Sequence, residues 1–261
     1  MAFPDPPNDG GGGAFPFAGG AINQQHPLAP NLVFLGVAFA GGYIDLVSRT
    51  RSHPVTVSGG PINLQHSGGP SGAGWQFGTG TVSLQARAVF TGMNCNPLTA
   101  MNMAAACGFM NPIGTVATGG NYYLFTVESA AGINSGGLDL EVFSTTPRVI
   151  IGGNGGVNNK ASALTTTTSA QGEGIVASND TGTATLYTRT DTGTTSTASR
   201  TSASNVSQVT FSSLSGCAQR MILWGAVWNK PITAAQAALI TLLRGQMPPG
   251  LVIRRNLLGT L

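Results

Sequence analysis

Charged side chains are scarce in this chain, and their scarcity excludes more than any single motif establishes. They make up 8% of 261 residues, against about 25% in an ordinary soluble domain. The 12 basic and 9 acidic residues leave a formal charge of +3, and the basic ones are scattered along the sequence. A surface that tracks phosphates needs them gathered, so nucleic acid is not an expected partner despite a pI near 9.0. Cysteine is rarer still. Cys95, Cys107 and Cys217 show no zinc-ligand spacing and leave an odd thiol if two pair, so buried free thiols are the expectation.

Long apolar runs are missing too. The most apolar window, Asn31 to Val47, is broken by Gly36, Gly41, Gly42 and Asp45, short of the roughly 18 uninterrupted residues of a membrane helix. No membrane partner is expected. The first residues, MAFPDPPNDGGGG, lack the basic and apolar regions of a secretory signal, which predicts synthesis and assembly in a cytoplasm. Aromatics amount to 7%, and core positions claim most of the tryptophans, so few rings remain for a sugar platform.

What is abundant is glycine, 38 residues, together with long Thr/Ser runs. A surface built from these is polar but nearly uncharged. It lacks the repulsion that keeps proteins apart, which predicts that permanent partners cover much of it. The chain is long enough for one large all-β domain with a substantial core.

The most definite local pattern is RMILWGAVWNKPITAAQAALITLLR, Arg220 to Arg244. Met221 to Trp228 is apolar on both faces, as a strand covered on two sides must be. Asn229-Lys230-Pro231 stops it. Thr233 is placed to cap a helix, with Gln236 completing the reciprocal box, and Gly245 closes the helix. On either side the chain changes character. Residues 1–30 are rich in Pro and Gly, with Phe3, Phe15 and Phe17 set among them, too poor to build a core alone. They read as an arm whose phenylalanines anchor on neighbouring subunits, or alternatively as an arm folded over its own domain. The expected organisation is an N-terminal arm over 1–30, a domain over 31–245 and a tail over 246–261 carrying Arg254 and Arg255 as a partner-facing pair.

Within the domain, short β-favouring stretches recur between glycine turns. Asn31–Leu46, His53–Val57, Thr81–Thr91, Tyr122–Glu128 and Gln208–Leu214 read as extended. Leu138–Phe143 with Arg148–Ile151, and Gly174–Ser178 with Thr183–Thr190, read as hairpins. Met101–Met110 reads as a strand, although Ala104-Ala105-Ala106 fits a helix equally well. Trp75 and Phe77 alternate onto one face and read as core. The Thr/Ser-rich stretch up to Ser207 suits weak, solvent-facing strands, since threonine is β-branched. Many short strands and one helix predict an all-β antiparallel sandwich.

The order of these features resembles the concanavalin A-like lectin/glucanase sandwiches, in particular the laminin-G-like jelly-roll modules of bacteriophage structural proteins. The resemblance rests on Asp45-Leu46-Val47-Ser48, on Gly72-Ala73-Gly74-Trp75-Gln76-Phe77-Gly78, on Leu186-Tyr187 running to Gly193, and on the closing turn Asn229-Lys230-Pro231-Ile232-Thr233 before the helix. It covers roughly Asn31 to Leu243 and leaves both arms out. It implies a jelly-roll β-sandwich with one short C-terminal helix and extended arms.

Glucanases of that superfamily work with carboxylates on alternate residues of one strand. Asp139 and Glu141 have that spacing, but Gly137 stands where the family places its first carboxylate, so a solvent-facing acidic pair is expected and no catalytic residue is assigned. His26, His53 and His66 are far apart and beside no nucleophile. Nine acidic residues spread over the chain do not make a dedicated calcium cage, which leaves Asp45 or Asp180 with backbone carbonyls as the place that could hold one ion; no metal or other cofactor is expected. Gly152-Gly153-Asn154-Gly155-Gly156 precedes no helix, so a phosphate loop fails its context test. Relatives bind glycans through loop aromatics and amides, which makes Tyr122, Tyr123, Asn154, Asn158 and Asn159 the candidate sugar contacts.

The expectation from these readings is a non-enzymatic structural virion protein of a bacteriophage. It is a homo-oligomer fixed by its arms to other virion proteins of the capsid surface or tail. The alternative is a glycan-binding adhesin that recognises a host surface polysaccharide.

Overall fold

In the computed structural model of the chain, the residues described are 17, 19–39, 41–52, 55–58, 63–66, 73–76, 85–91, 102–110, 121–128, 138–143, 146–151, 159–162, 173–180, 183–189, 194–197, 208–211 and 221–253. Each β-favouring stretch read between glycine turns holds at least one described strand, and Asn31–Leu46 holds two; Phe77, 81–84, 198–207 and 212–214 lie outside the described residues. In chain order they are β1 (Ala21–Ile22), β2 (Leu32–Phe39), β3 (Gly42–Asp45), β4 (Arg51–Ser52), β5 (Val55–Ser58), β6 (Asn63–His66), β7 (Ala73–Gln76), β8 (Gln85–Thr91) and β9 (Asn102–Met110). There follow β10 (Asn121–Glu128), β11 (Leu138–Phe143), β12 (Thr146–Ile151), β13 (Asn159–Ser162), β14 (Glu173–Asp180), β15 (Thr183–Tyr187), β16 (Thr194–Thr197), β17 (Gln208–Phe211) and β18 (Met221–Trp228). Helix α1 (Ala234–Thr241) and β19 (Val252–Ile253) complete the order. The alanine run 104–106 is therefore strand, because its amides pair with both β14 and β18. Tertiary pairing overrides alanine's helix preference.

A seven-stranded sheet, ordered β13-β12-β11-β10-β17-β8-β5, lies against a ten-stranded sheet that runs β16-β15-β14-β9-β18-β2-β3-β4 with β6 and β7 attached beside β18. All pairings between described strands are antiparallel. Phe34, Tyr43, Cys107, Ile175 and Val227 of the larger sheet meet Phe90, Phe125, Leu140, Val209 and Phe211 of the smaller one in a single cluster. At one side the Ser52 hydroxyl donates to the Val89 carbonyl at 2.6 Å, joining β4 to β8.

Two glycines shape this interface. Gly36 of β2 and Gly225 of β18 are register partners, and the rings of Phe211 and Phe125 lie where side chains would otherwise stand. A Cβ on Gly225 would come within 2.4 Å of Phe125, and one on Gly36 within 2.6 Å of Phe211. Phe211 is held in turn by Tyr43, stacked on it at 3.8 Å between centroids. The Tyr43 hydroxyl donates to the buried Ile222 carbonyl at 2.8 Å.

The expectation that Met221–Trp228 is covered on both faces holds, since every residue of β18 is buried. Ile222 and Val227 enter the inter-sheet cluster, while Leu223, Trp224, Ala226 and Trp228 face an outer layer with Leu28, Ile232, Ala237, Ile240, Met247 and Leu251. A register shift between Ile222 and Trp224 turns both Leu223 and Trp224 outward. The indole N–H of Trp224 donates to the Gly245 carbonyl at 2.9 Å and that of Trp228 to the Leu28 carbonyl at 2.7 Å. Helix α1 carries the capping box read from the sequence, with Thr233 accepting from the Gln236 amide and Gln236 reaching back to the Thr233 amide. It ends through Arg244 and Gly245, both at positive φ.

The outer layer also takes in chain on either side of residues 31–245. β1 pairs with β19, Leu28 and Leu251 are buried, and Phe17 packs against the same cluster. Phe17, residues 19–30 and residues 246–253 thus contribute to this layer. Apolar residues spaced among prolines and glycines carry no periodic signature, yet they are what closes the second face of β18.

Candidate functional site

The most concentrated polar chemistry lies on the seven-stranded sheet. Leu138 and Leu140 of β11 enter the core, so strand alternation puts Asp139 and Glu141 together on the opposite face. Thr126 of β10 is the register partner of both Asp139 and Thr210 of β17, and Gln208 donates to the Thr210 hydroxyl at 3.2 Å. A polar row Thr210–Thr126–Asp139 therefore crosses three strands beside Glu141. The expectation of a solvent-facing acidic pair is corrected, because Asp139 is 1% exposed and Glu141 0%, and Thr126 and Thr210 are as deeply covered. Both carboxylates have interaction partners. Alternation was readable in Leu-Asp-Leu-Glu; the cover over that face was not. Thr126 and Thr210 escaped sequence reasoning because nothing marks a threonine as the neighbour of a carboxylate before register is known.

Asp45 is engaged by the turn that follows it. Its carboxylate accepts from the amides of Leu35 at 2.9 Å, Val47 at 3.0 Å and Ser48 at 3.0 Å, and from the Ser48 hydroxyl. It thus organises the turn between β3 and β4, in which Arg49 takes positive φ. Among the described residues no three His, Cys, Asp or Glu side chains gather as a metal would need. Cys107 is buried, and desolvation pushes its thiol far above the usual range, which makes it an inert core group. Tyr43, also buried, is raised well above its ordinary value for the same reason.

The candidate sugar contacts divide. Asn154 and Asn158 lie outside the described residues. Tyr122 and Tyr123 lie on β10, in register with Val142 and Glu141. Asn159 opens β13 opposite Ile151, which is in register with Leu138 and through it with Val127. Three strand spacings and five residues of strand separate Asn159 from Tyr122, roughly 20 Å, so the structure does not bring them together. Trp75 is a half-buried core residue, as expected, and its indole N–H bridges the carbonyls of Phe39 at 3.1 Å and Gly42 at 2.9 Å at the β2–β3 turn. Of the arm anchors, Phe3, Phe15, Arg254 and Arg255 lie outside the described residues, and Phe17 packs on its own domain.

No protein-family model matches the chain, and no curated protein is similar to it in sequence. Solved structures match its fold. The binding domain of botulinum neurotoxin DC in complex with rat synaptotagmin II superposes with a TM-score of 0.55 at 10% identity, over 79% of this chain and 50% of that one. The same toxin's binding domain in complex with SialylT gives 0.53 at 9% identity, over 79% and 50%. A botulinum neurotoxin type C structure, described as dependent for cell entry on two ganglioside molecules, gives 0.55 at 10% identity, over 79% and 49%. The chain thus spans about half the length of the toxin chains it matches. At such identity the likeness shows the fold, an all-β antiparallel sandwich of the jelly-roll kind, and the match to half of each toxin chain places none of these ligands in the shared half.

Proposed function

We propose that the chain is a non-catalytic carbohydrate-binding module that recognises a surface glycan. The observation that carries this reading is the shared sandwich with toxin receptor-binding domains, of which one is described with SialylT and another with gangliosides. The covered carboxylates support the non-catalytic part, since Asp139 and Glu141 at 1% and 0% exposure cannot straddle a glycosidic bond. The test is an array of sialylated and neutral glycans probed with the full chain, followed by calorimetry on any hit. Binding that weakens at least fivefold in Tyr122→Ala/Tyr123→Ala supports the reading; no hit across the array defeats it.

A second reading is a structural component of a phage-like particle, held by its arms to capsid or tail and present there as a homo-oligomer. It is favoured by the 8% charge and by the exposed apolar side chains Val47, Leu239, Leu242 and Ile253. In it, Phe3, Phe15, Arg254 and Arg255 are the anchors. Removal of residues 1–16 should abolish incorporation into particles, and full occupancy by the truncated chain would end this reading.

A further inference from the structure

An imidazole sits where two distant stretches of the outer layer are tied together. β1 pairs with β19, and next to that pairing the Asn23 amide donates to the Leu251 carbonyl at 2.8 Å and the Asn23 side-chain amide to the Gly250 carbonyl at 3.0 Å. Three residues on, His26 is bonded to the Pro249 backbone and accepts the Leu28 amide proton through Nδ1 at 3.1 Å. Leu28 is wholly buried and belongs to the same apolar cluster as Trp224, Trp228 and Leu251. Its carbonyl takes the Trp228 indole N–H at 2.7 Å. The ring therefore fixes the residue that covers Trp228, while being itself only half-buried and open to protons from solvent.

We propose that His26 is an acid-operated latch: protonation of its ring frees Leu28 from the outer face of β18, and the chain between Asn23 and Asn31 lifts to uncover Trp228. A protonated imidazole carries hydrogen on both nitrogens. Nδ1–H would then be set against the Leu28 N–H, and an amide left without an acceptor in an apolar layer bears its full desolvation cost. Lifting returns both groups to water. The segment is built to move as a unit. It holds no strand, and two of its bonds, His26 amide to Asn23 carbonyl at 3.0 Å and Ala29 amide to His26 carbonyl at 2.9 Å, lie within the turn itself. At its far end Asn31 takes positive φ and its carbonyl accepts the Asn229 amide at 2.9 Å, which gives the segment a fixed point to swing from.

Charge does not oppose the latch. The turn that holds the ring reads Asn23-Gln24-Gln25-His26-Pro27-Leu28, the turn beneath it Pro248-Pro249-Gly250-Leu251, and α1, which reaches Pro27 through Gln236 at 2.9 Å, has no charged residue. Lys230 and Arg244 flank the helix, but burial first and the Pro249 backbone second are what act on the ring. Burial holds its pKa below 6.5 in the closed layer, and opening restores the ordinary value. The closed form is thus fully favoured above about pH 6.5 and loses ground as pH falls through the lowered value.

The test is amide exchange on the full chain at pH 7 and pH 5, with rates converted to protection factors so that the intrinsic pH dependence of exchange cancels. Protection at Leu28 should fall about tenfold, the loss of roughly one hydrogen bond, with the midpoint of the His26 ring titration. The Ala105 amide, in a strand paired on both sides, should change by less than about twofold, and acrylamide should quench tryptophan fluorescence more strongly at pH 5. His26→Asn, which keeps a side-chain oxygen as acceptor and cannot titrate, should hold Leu28 protection constant. An equal fall at Ala105, a fall that persists in His26→Asn, or a wild-type ring that carries its proton on Nδ1 at pH 7 overturns the proposal, the last of these even where the variant does not fold.

Discussion

Substituting Gly225 by alanine should cost about 3 kcal/mol of stability, the upper end of the range for overpacking a filled core. The new Cβ would stand 2.4 and 2.6 Å from two atoms of Phe125 and 2.9 Å from Phe211. Ordinary carbon contacts are about 3.5–4.0 Å, so the Phe125 ring would have to retreat by about 1 Å. It has little room to do so. Phe211 lies 5.1 Å away between centroids and is stacked on Tyr43 at 3.8 Å, whose hydroxyl is bound to the Ile222 carbonyl. Phe34 closes the other side, 6.0 Å from Phe125. Urea unfolding followed by the fluorescence of buried Trp224 and Trp228 would show the midpoint falling by about 1 M at unchanged slope. Gly19→Ala is the control, because a Cβ there meets nothing within 4 Å. Gly225→Ala combined with Phe125→Leu should lose less than the two changes summed, by about 1 kcal/mol or more. A loss below about 0.5 kcal/mol for Gly225→Ala would refute the reasoning, since it would mean the aromatic cluster yields freely.

Three further outcomes are expected. Asp45→Ala leaves the amides of Leu35, Val47 and Ser48 without their acceptor and should cost about 3 kcal/mol in urea unfolding; Asp45→Asn, which keeps one oxygen, should cost clearly less. Thr233→Ala removes the hydroxyl that accepts from the Gln236 amide and should cost about 1 kcal/mol, with amide exchange faster over 234–238 than elsewhere. His26 accepts the Leu28 amide proton through Nδ1 at 3.1 Å, which requires a neutral ring. Burial lowers its pKa below 6.5, partly opposed by its bond to the Pro249 backbone. Its stabilisation is therefore complete above the unfolded value and is lost as pH falls through the lowered folded value. The melting temperature should drop modestly between pH 7 and 5, and His26→Gln should flatten that drop.

Much of the fold was legible because local rules acted alone. Thr233 and Gln236 sit at the separation a capping box needs. Met221–Trp228 has no polar face to give to water, and Leu138-Asp139-Leu140-Glu141 alternates at the strand period. The alanine run 104–106 was not legible, because its propensity and its pairing disagree and only the flanking strands β14 and β18 decide between them. The covered state of Asp139 and Glu141 was hidden for a related reason. Period fixes which face a side chain takes, but not whether that face is covered.

The sequence by itself determined the class of the molecule, the buried central strand and its helix, and a surface nearly without charge. These follow from composition and from contacts within a few residues. Only the tertiary structure decided that Leu28, Leu251 and Phe17 join the outer layer, that the Asp45 carboxylate organises a turn, and that Asn159 lies far from Tyr122. It also set Gly36 beside Gly225 to admit the rings of Phe125 and Phe211. Each of these depends on strand register across long stretches of chain, and register is an outcome of packing that no local pattern encodes.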